Sequence, residues 1–361
     1  SADTGNLAPA TEDSMTATLA IPRRLLLTGA ATASLSRAPH AQGSQRMVYA
    51  NWGGSWEQAM KKAWWEPFTK QTGIEIIGAS GNTLGRLQAM EDAHRVEWDL
   101  IEGLPELARV GAQKGLLEKL DFTVIDRSGM MQRPEFLDDY SIPEVIFARI
   151  LTYSTKLPEK PRDWTALWDT KRFPGKRALY NRVESGLLEI ALLADGVAPD
   201  QLYPLDVQRA FKKLDQIRND IIWYETVTQS EQLMRDGQAS MGVLADGRAL
   251  NVKSSGAPVD LLPEASVLTW SVFVVPKDAP NKQNAMRFLA WVLGVKPQVD
   301  IALAYNYGPI VPKAWDEIPP DRLPIISGGP ATQGKAVFQS AKWWAANLEK
   351  TTEQFQQWML G

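Results

Sequence analysis

The strongest constraint on the fold is an alternation of short apolar runs with segments patterned at helical spacing. Residues 46–52 form an apolar run that reads as a buried strand. Gly53-Gly54 breaks it, and Ser55-Trp56-Glu57-Gln58 has the form of a capping box. Trp56, Ala59, Met60, Ala63 and Trp64 then recur at helical spacing until Gly73 closes the segment. A strand at 74–77, a helix at 84–91 and a strand at 98–101 follow. This β-α-β-α-β order predicts a parallel sheet with right-handed crossovers. A second block begins near Ile150. It holds a Pro- and Trp-rich connector (161–174), a strand at 177–180, helices at 185–194 and 206–218, and a strand at 221–226. Thr228-Gln229-Ser230-Glu231 reads as another capping box, residues 266–275 as a β-rich return, and 280–293 as an amphipathic helix. At ~150 residues per domain, 361 residues make two lobes.

Composition removes most catalytic chemistry. Cysteine is absent, which excludes thiolate nucleophiles, iron–sulfur clusters and sulfur-ligated zinc. The only histidines are His40 and His94, so a multi-histidine metal site is excluded. A net charge of −3 offers no bulk basic face to nucleic-acid phosphates. The 14 tryptophans are the one excess, and they suit either core packing or an aromatic ligand box.

The N-terminal stretch reads as an export signal, residues 1–41 being a leader plus a twin-arginine-like signal peptide. Arg23-Arg24 precedes a short apolar run, and small residues follow up to Ala41. Met15 is a plausible start. The remainder is expected in the periplasm.

Several phrases carry a family resemblance. They are Asn51-Trp52-Gly53-Gly54-Ser55; residues 67–74, Pro-Phe-Thr-Lys-Gln-Thr-Gly-Ile; 164–169 with 173–178; 202–206; 273–277; and Tyr307-Gly308-Pro309. In this order they resemble extracellular solute-binding proteins of bacterial ABC importers, in the branch that includes spermidine/putrescine-binding proteins. The resemblance implies an α/β, two-lobed periplasmic-binding-protein clamshell of type II, each lobe a mixed, mostly parallel sheet flanked by helices. Residues 46–149 and 272–361 would form lobe 1 and 150–271 lobe 2, with hinge strands near 148–152 and 267–271. It also implies delivery of a solute to an inner-membrane permease by a monomer that needs no cofactor or metal and binds no nucleic acid.

Ligands of parallel α/β sheets sit beyond the carboxyl ends of strands, at helix N-termini. Four places qualify. At Trp52-Gly53 the glycine permits close approach, and the resemblance implies an aromatic wall; the alternative is that Trp52 is core. Ser80-Gly81, after the second strand, is similar to a ligand-contacting loop of the family or is an ordinary polar turn. Asp246 matches a carboxylate that receives an ammonium in polyamine binders, with Arg248 beside it; the two could instead form a structural pair. Trp270-Ser271 and Tyr307 match aromatic positions of the family box, Ser271 standing where diamine binders carry an acid. Those relatives also carry an acid aligned with Gly54.

With one aligned acid kept and Arg248 and Arg182 available for a carboxylate, the solute is expected to be an ω-amino acid or a small amine. A putrescine or spermidine binder, or an exported enzyme on the same fold using Glu184, Asp246 or His94, are the alternatives.

Overall fold

The computed structural model describes residues 45–329 and 336–361. The export signal therefore lies outside the described residues. The chain runs β1 (Arg46–Ala50), α1 (Gly54–Met60), a π-helical turn (Lys61–Trp65), α2 (Glu66–Thr72), β2 (Glu75–Ala79), α3 (Leu84–Asp92), β3 (Leu100–Gly103) and α4 (Pro105–Gln113). It continues through β4 (Ser141–Ser154), β5 (Arg177–Tyr180), α5 (Leu187–Ala194), α6 (Val207–Asp215), β6 (Ile221–Tyr224), α7 (Val227–Arg235), β7 (Met241–Ala245) and α8 (Asp246–Ser254). After β8 (Val259–Val274) come α9 (Lys282–Val292), α10 (Val295–Tyr305), α11 (Pro312–Trp315), β9 (Val337–Phe338) and α12 (Ala341–Leu360).

The strands join one mixed sheet in the order β2-β1-β3-β8-β4-β7-β5-β6, with β9 beside β8. The expected parallel set is present, since β1 pairs parallel with both β2 and β3. A second parallel set pairs β5 with β6 and β7. Two long antiparallel partners, β4 and β8, join the sets and pair from Ser141↔Val274 to Ser154↔Val259. The proposed lobe boundaries at 150 and 271 thus fall on strands that run unbroken through both halves.

Each half has its own core. The first packs Tyr49, Trp56, Trp64, Phe68, Phe273 and Phe288; the second packs Leu151, Leu188, Phe211, Trp344 and Phe355. Much of the tryptophan excess is consumed here. Trp56, Trp64, Trp98 and Trp344 are fully buried, each contributing on the order of 2–3 kcal/mol of apolar burial. Trp64 also donates its indole N–H to Pro297 O at 2.8 Å. The C-terminal helix, expected in lobe 1, touches both halves. Its Phe355 and Trp358 stack on Phe211 of the second half, while its other side reaches α4. Among the described residues no single helix is long and apolar enough to cross a membrane.

Candidate functional site

A cavity with about 350 Å³ of empty space, part of it open to solvent, lies where the carboxyl ends of β1 and β3 meet the middle of β4 and the start of α8. Trp52, Trp56, Phe147 and Tyr307 form its aromatic walls; Glu102, Arg149, Arg248 and Ser271 supply its polar groups. The rings pack on one another, with Trp56 to Tyr307 at 5.0 Å and Phe147 to Tyr307 at 5.5 Å between centroids. Burial raises the Tyr307 phenol well above its ordinary range, so it stays neutral.

The backbone entering α1 explains the glycine pair. Gly53 and Gly54 both have φ +65°, a region that favours glycine. A Cβ on Gly54 would stand 2.7 Å from Thr228 Oγ1 and 3.1 Å from Arg248 Nη1. Any side chain there, such as the acid expected of polyamine binders, would force Thr228 to shift. The Ser55 capping box does not form, because the helix already starts at Gly54 and takes no side-chain cap. The Ser55 hydroxyl instead donates to Glu231 Oε1 at 2.7 Å and meets the Tyr305 hydroxyl. The second capping box exists two residues earlier than expected, between Thr226 and Gln229.

One pole of the cavity is acidic. Glu102, 2% exposed, accepts from Trp56 Nε1 at 2.9 and 3.0 Å and from Trp52 N at 3.4 Å. Glu144 lies beside it, fully buried, and accepts from the Tyr49 hydroxyl at 2.7 Å. Burial, then the neighbouring Glu144, holds Glu102 well above the usual carboxylate range. Burial pushes Glu144 up to about 7 against the hydrogen bonds that favour its ionised form.

The other pole is cationic. Arg149 is 4% exposed, and its Nε has no acceptor. Its guanidinium lies 5.3 Å from the Phe147 ring and 5.6 Å from the Tyr180 ring, and it forms no ion pair among the described residues. Arg248 differs: it donates to Glu231 Oε1 at 2.7 Å and to Gly53 O at 3.0 Å. Arg182 sits nearer the surface, over Trp52 at 5.5 Å and 3.9 Å from Glu184. Glu106 is raised to about 8, first by burial and then by Glu184.

The structure brings Trp52, Arg248, Ser271 and Tyr307 to this cavity and sets Gly53 at its edge through its bond to Arg248. It does not bring Trp270, Asp246, Ser80 or Gly81. Neighbouring strand residues face opposite ways, so with Ser271 in the cavity Trp270 packs on Phe136 at 5.1 Å. Asp246 lines a separate, solvent-open pocket with Ala148, Ile150 and Ser327. There it accepts from Ala148 N at 3.2 Å and from the Ser327 hydroxyl, and burial pushes it up to about 7. It makes no pair with Arg248. Ser80 and Gly81 are exposed; Arg86 bonds Ser80 O at 2.9 Å and fills the space beside Gly81. Asn82 is the buried member of that loop and donates to Glu102 O at 2.7 Å.

Arg149, Glu102 and Glu144 escaped the sequence reading. The signal was present in Ile142-Pro143-Glu144-Val145-Ile146-Phe147-Ala148-Arg149-Ile150-Leu151, where two lone charges interrupt an otherwise apolar run. A charge in a strand buried on both faces needs a partner or a ligand.

The sequence profile of bacterial extracellular solute-binding proteins matches residues 63–328. The gamma-aminobutyric acid-binding protein of Pseudomonas aeruginosa is 29% identical over 343 residues, 93% of this chain and 96% of that protein. The spermidine/putrescine-binding periplasmic protein of Escherichia coli K12 is 23% identical over 301 residues, 79% of this chain and 82% of that one. Among solved structures, a gamma-aminobutyric acid receptor is 35% identical and superposes with a TM-score of 0.77, covering 87% of this chain and 97% of that one. A binding protein of A. tumefaciens R10 in complex with agropinic acid is 26% identical with a TM-score of 0.83, covering 89% and 100%.

Proposed function

The chain belongs to the bacterial extracellular solute-binding proteins, and from that premise we propose that its cavity captures a short ω-amino acid. The carboxylate of the solute lies against Arg149 and its ammonium against the Glu102–Glu144 pole, with the methylene chain between the rings of Trp52, Phe147 and Tyr307. The observation that carries this reading is the burial of Arg149 without an anion in the same cavity as the buried acid Glu102, whose neighbour is Glu144. Removing a guanidinium from water costs several kcal/mol, and cation–π contact returns only about 1–2 kcal/mol. A solute carboxylate supplies the remainder through a charge-assisted fork. A diamine would set an ammonium against Arg149, a like-charge contact in a dry site. The relatives named for gamma-aminobutyric acid support this choice over the polyamine relative.

Capture is by closure of the two halves about β4 and β8, with Ser55, Glu231, Arg248 and Gly53 meeting across the cleft. The closed form is what an inner-membrane permease would recognise, on a monomeric carrier that hands over its solute. Export by the folded-protein route follows from Arg23-Arg24.

Calorimetry on the described chain tests the solute. The panel is ω-amino acids of two to six carbons, butanoate, butylamine, putrescine and spermidine. An ω-amino acid of about four carbons is expected to bind, with butanoate and butylamine each weaker by at least ~tenfold, which is ~1.4 kcal/mol. Binding of putrescine or spermidine with the ω-amino acids silent overturns the assignment.

A further inference from the structure

Two carboxyls buried side by side with no cation paired to either cannot both be ionised. Glu102 and Glu144 meet this condition: they are 2% and 0% exposed, neither has an ion pair among the described residues, and the Glu144 charge raises its neighbour Glu102. The geometry also leaves Glu144 Oε2 without an N–H or O–H donor. The groups facing the pair are few. Tyr49 on β1 donates to Glu144, and its own phenol is raised by burial and by the pair, with Glu57 adding to it. Trp56 and the Trp52 backbone donate to Glu102 from the start of α1. From β8, the Ser271 hydroxyl faces Glu144 without closing a bond of normal geometry. The cations of this cavity, Arg149 and Arg248, stand on the walls of β4 and α8 and pair with neither acid.

We propose that the Glu102–Glu144 pair couples capture to a proton: it surrenders a proton when a solute ammonium enters and regains it on release. One carboxyl O–H bond breaks, its proton leaves to solvent, and the carboxylate formed accepts from the solute N–H. The inference rests on the reading of the cavity as an ω-amino acid site and adds a pH dependence to it. Burial holds both members of the pair above the usual carboxylate range, which moves that dependence up from the acid pH at which free carboxyls titrate. Fewer protons in the bound state mean that affinity rises with pH.

The test uses 4-aminobutanoate with the whole chain, titrated calorimetrically in phosphate and in imidazole near neutral pH, with the affinity followed across about pH 5.5 to 7.5. Proton release makes the heat more exothermic in imidazole, and the association constant rises by up to ~tenfold per pH unit. With 4-hydroxybutanoate, which keeps the carboxylate and lacks the ammonium, any heat of binding should be buffer-independent. Glu144→Gln should flatten the pH profile for 4-aminobutanoate. If that variant does not fold, the buffer comparison on the natural chain decides alone. Binding of 4-aminobutanoate with equal heats in both buffers and a flat profile overturns the coupling and leaves the site reading intact. No binding by any ω-amino acid overturns the site reading and the coupling with it.

Discussion

Arg149 and Arg248 line one cavity and are about equally buried, at 4% and 2% exposure, yet their surroundings are opposite. Arg248 is matched inside the protein. Glu231 receives it at 2.7 Å, and the same carboxylate is completed by Ser55 and by Asn251 at 2.9 Å. Arg149 has rings where Arg248 has a carboxylate. The contrast separates a charge already paired within the protein from one that the proposed reading leaves for a solute. The expected solute contact of Arg248 would have to share a guanidinium that Glu231 already holds.

The contrast is broken most forcefully by removing each arginine. Arg248→Met leaves Glu231 buried without its close cation, and the unfolding free energy should fall by ~3–5 kcal/mol, read by urea denaturation. Arg149→Met leaves no orphaned carboxylate. Its stability should hold or rise, while affinity for the ω-amino acid falls by ~2–5 kcal/mol, read by calorimetry. If Arg149→Met cost as much stability as Arg248→Met and left affinity unchanged, the two roles would be reversed. A smaller effect is expected of Trp52→Ala. That ring walls the cavity and carries Arg182 at 5.5 Å, so its loss should weaken binding by ~1–2 kcal/mol. Unchanged affinity would return Trp52 to the role of a packing residue.

The frame was legible because it depends on local pattern. Gly73 closes α2 with φ +73°, and Asp206 caps α6 through Arg209 N at 3.0 Å, as short-range chemistry dictates. The strand β4 was not legible over its full length, because Glu144 and Arg149 break its apolar run and so disguise it. At the site, residues fixed by the turn after β1 were readable. Which way a strand residue faces was not. Trp270 and Ser271 are equally plausible by type, and only the register of β8 against β4, Trp270 opposite Ile146, turns Ser271 inward. Pairings across the cleft, such as Ser55 with Glu231, join residues 176 apart and leave no local trace.

The smallest expected effect lies outside both arginine environments and bounds the site. Ser80→Ala removes a hydroxyl on an exposed loop whose carbonyl, not its side chain, is the group in use, held by Arg86 at 2.9 Å. The backbone bond survives the substitution, and water replaces the lost hydroxyl contacts. Affinity and stability should therefore each change by less than ~0.5 kcal/mol. A loss near 1.4 kcal/mol in affinity alone, tenfold in the dissociation constant, would mean that the loop after β2 folds onto bound solute. The cavity between Arg149 and Glu102 would then be only part of the site, and Asn82, already tied to the Glu102 carbonyl at 2.7 Å, would be the link between the two.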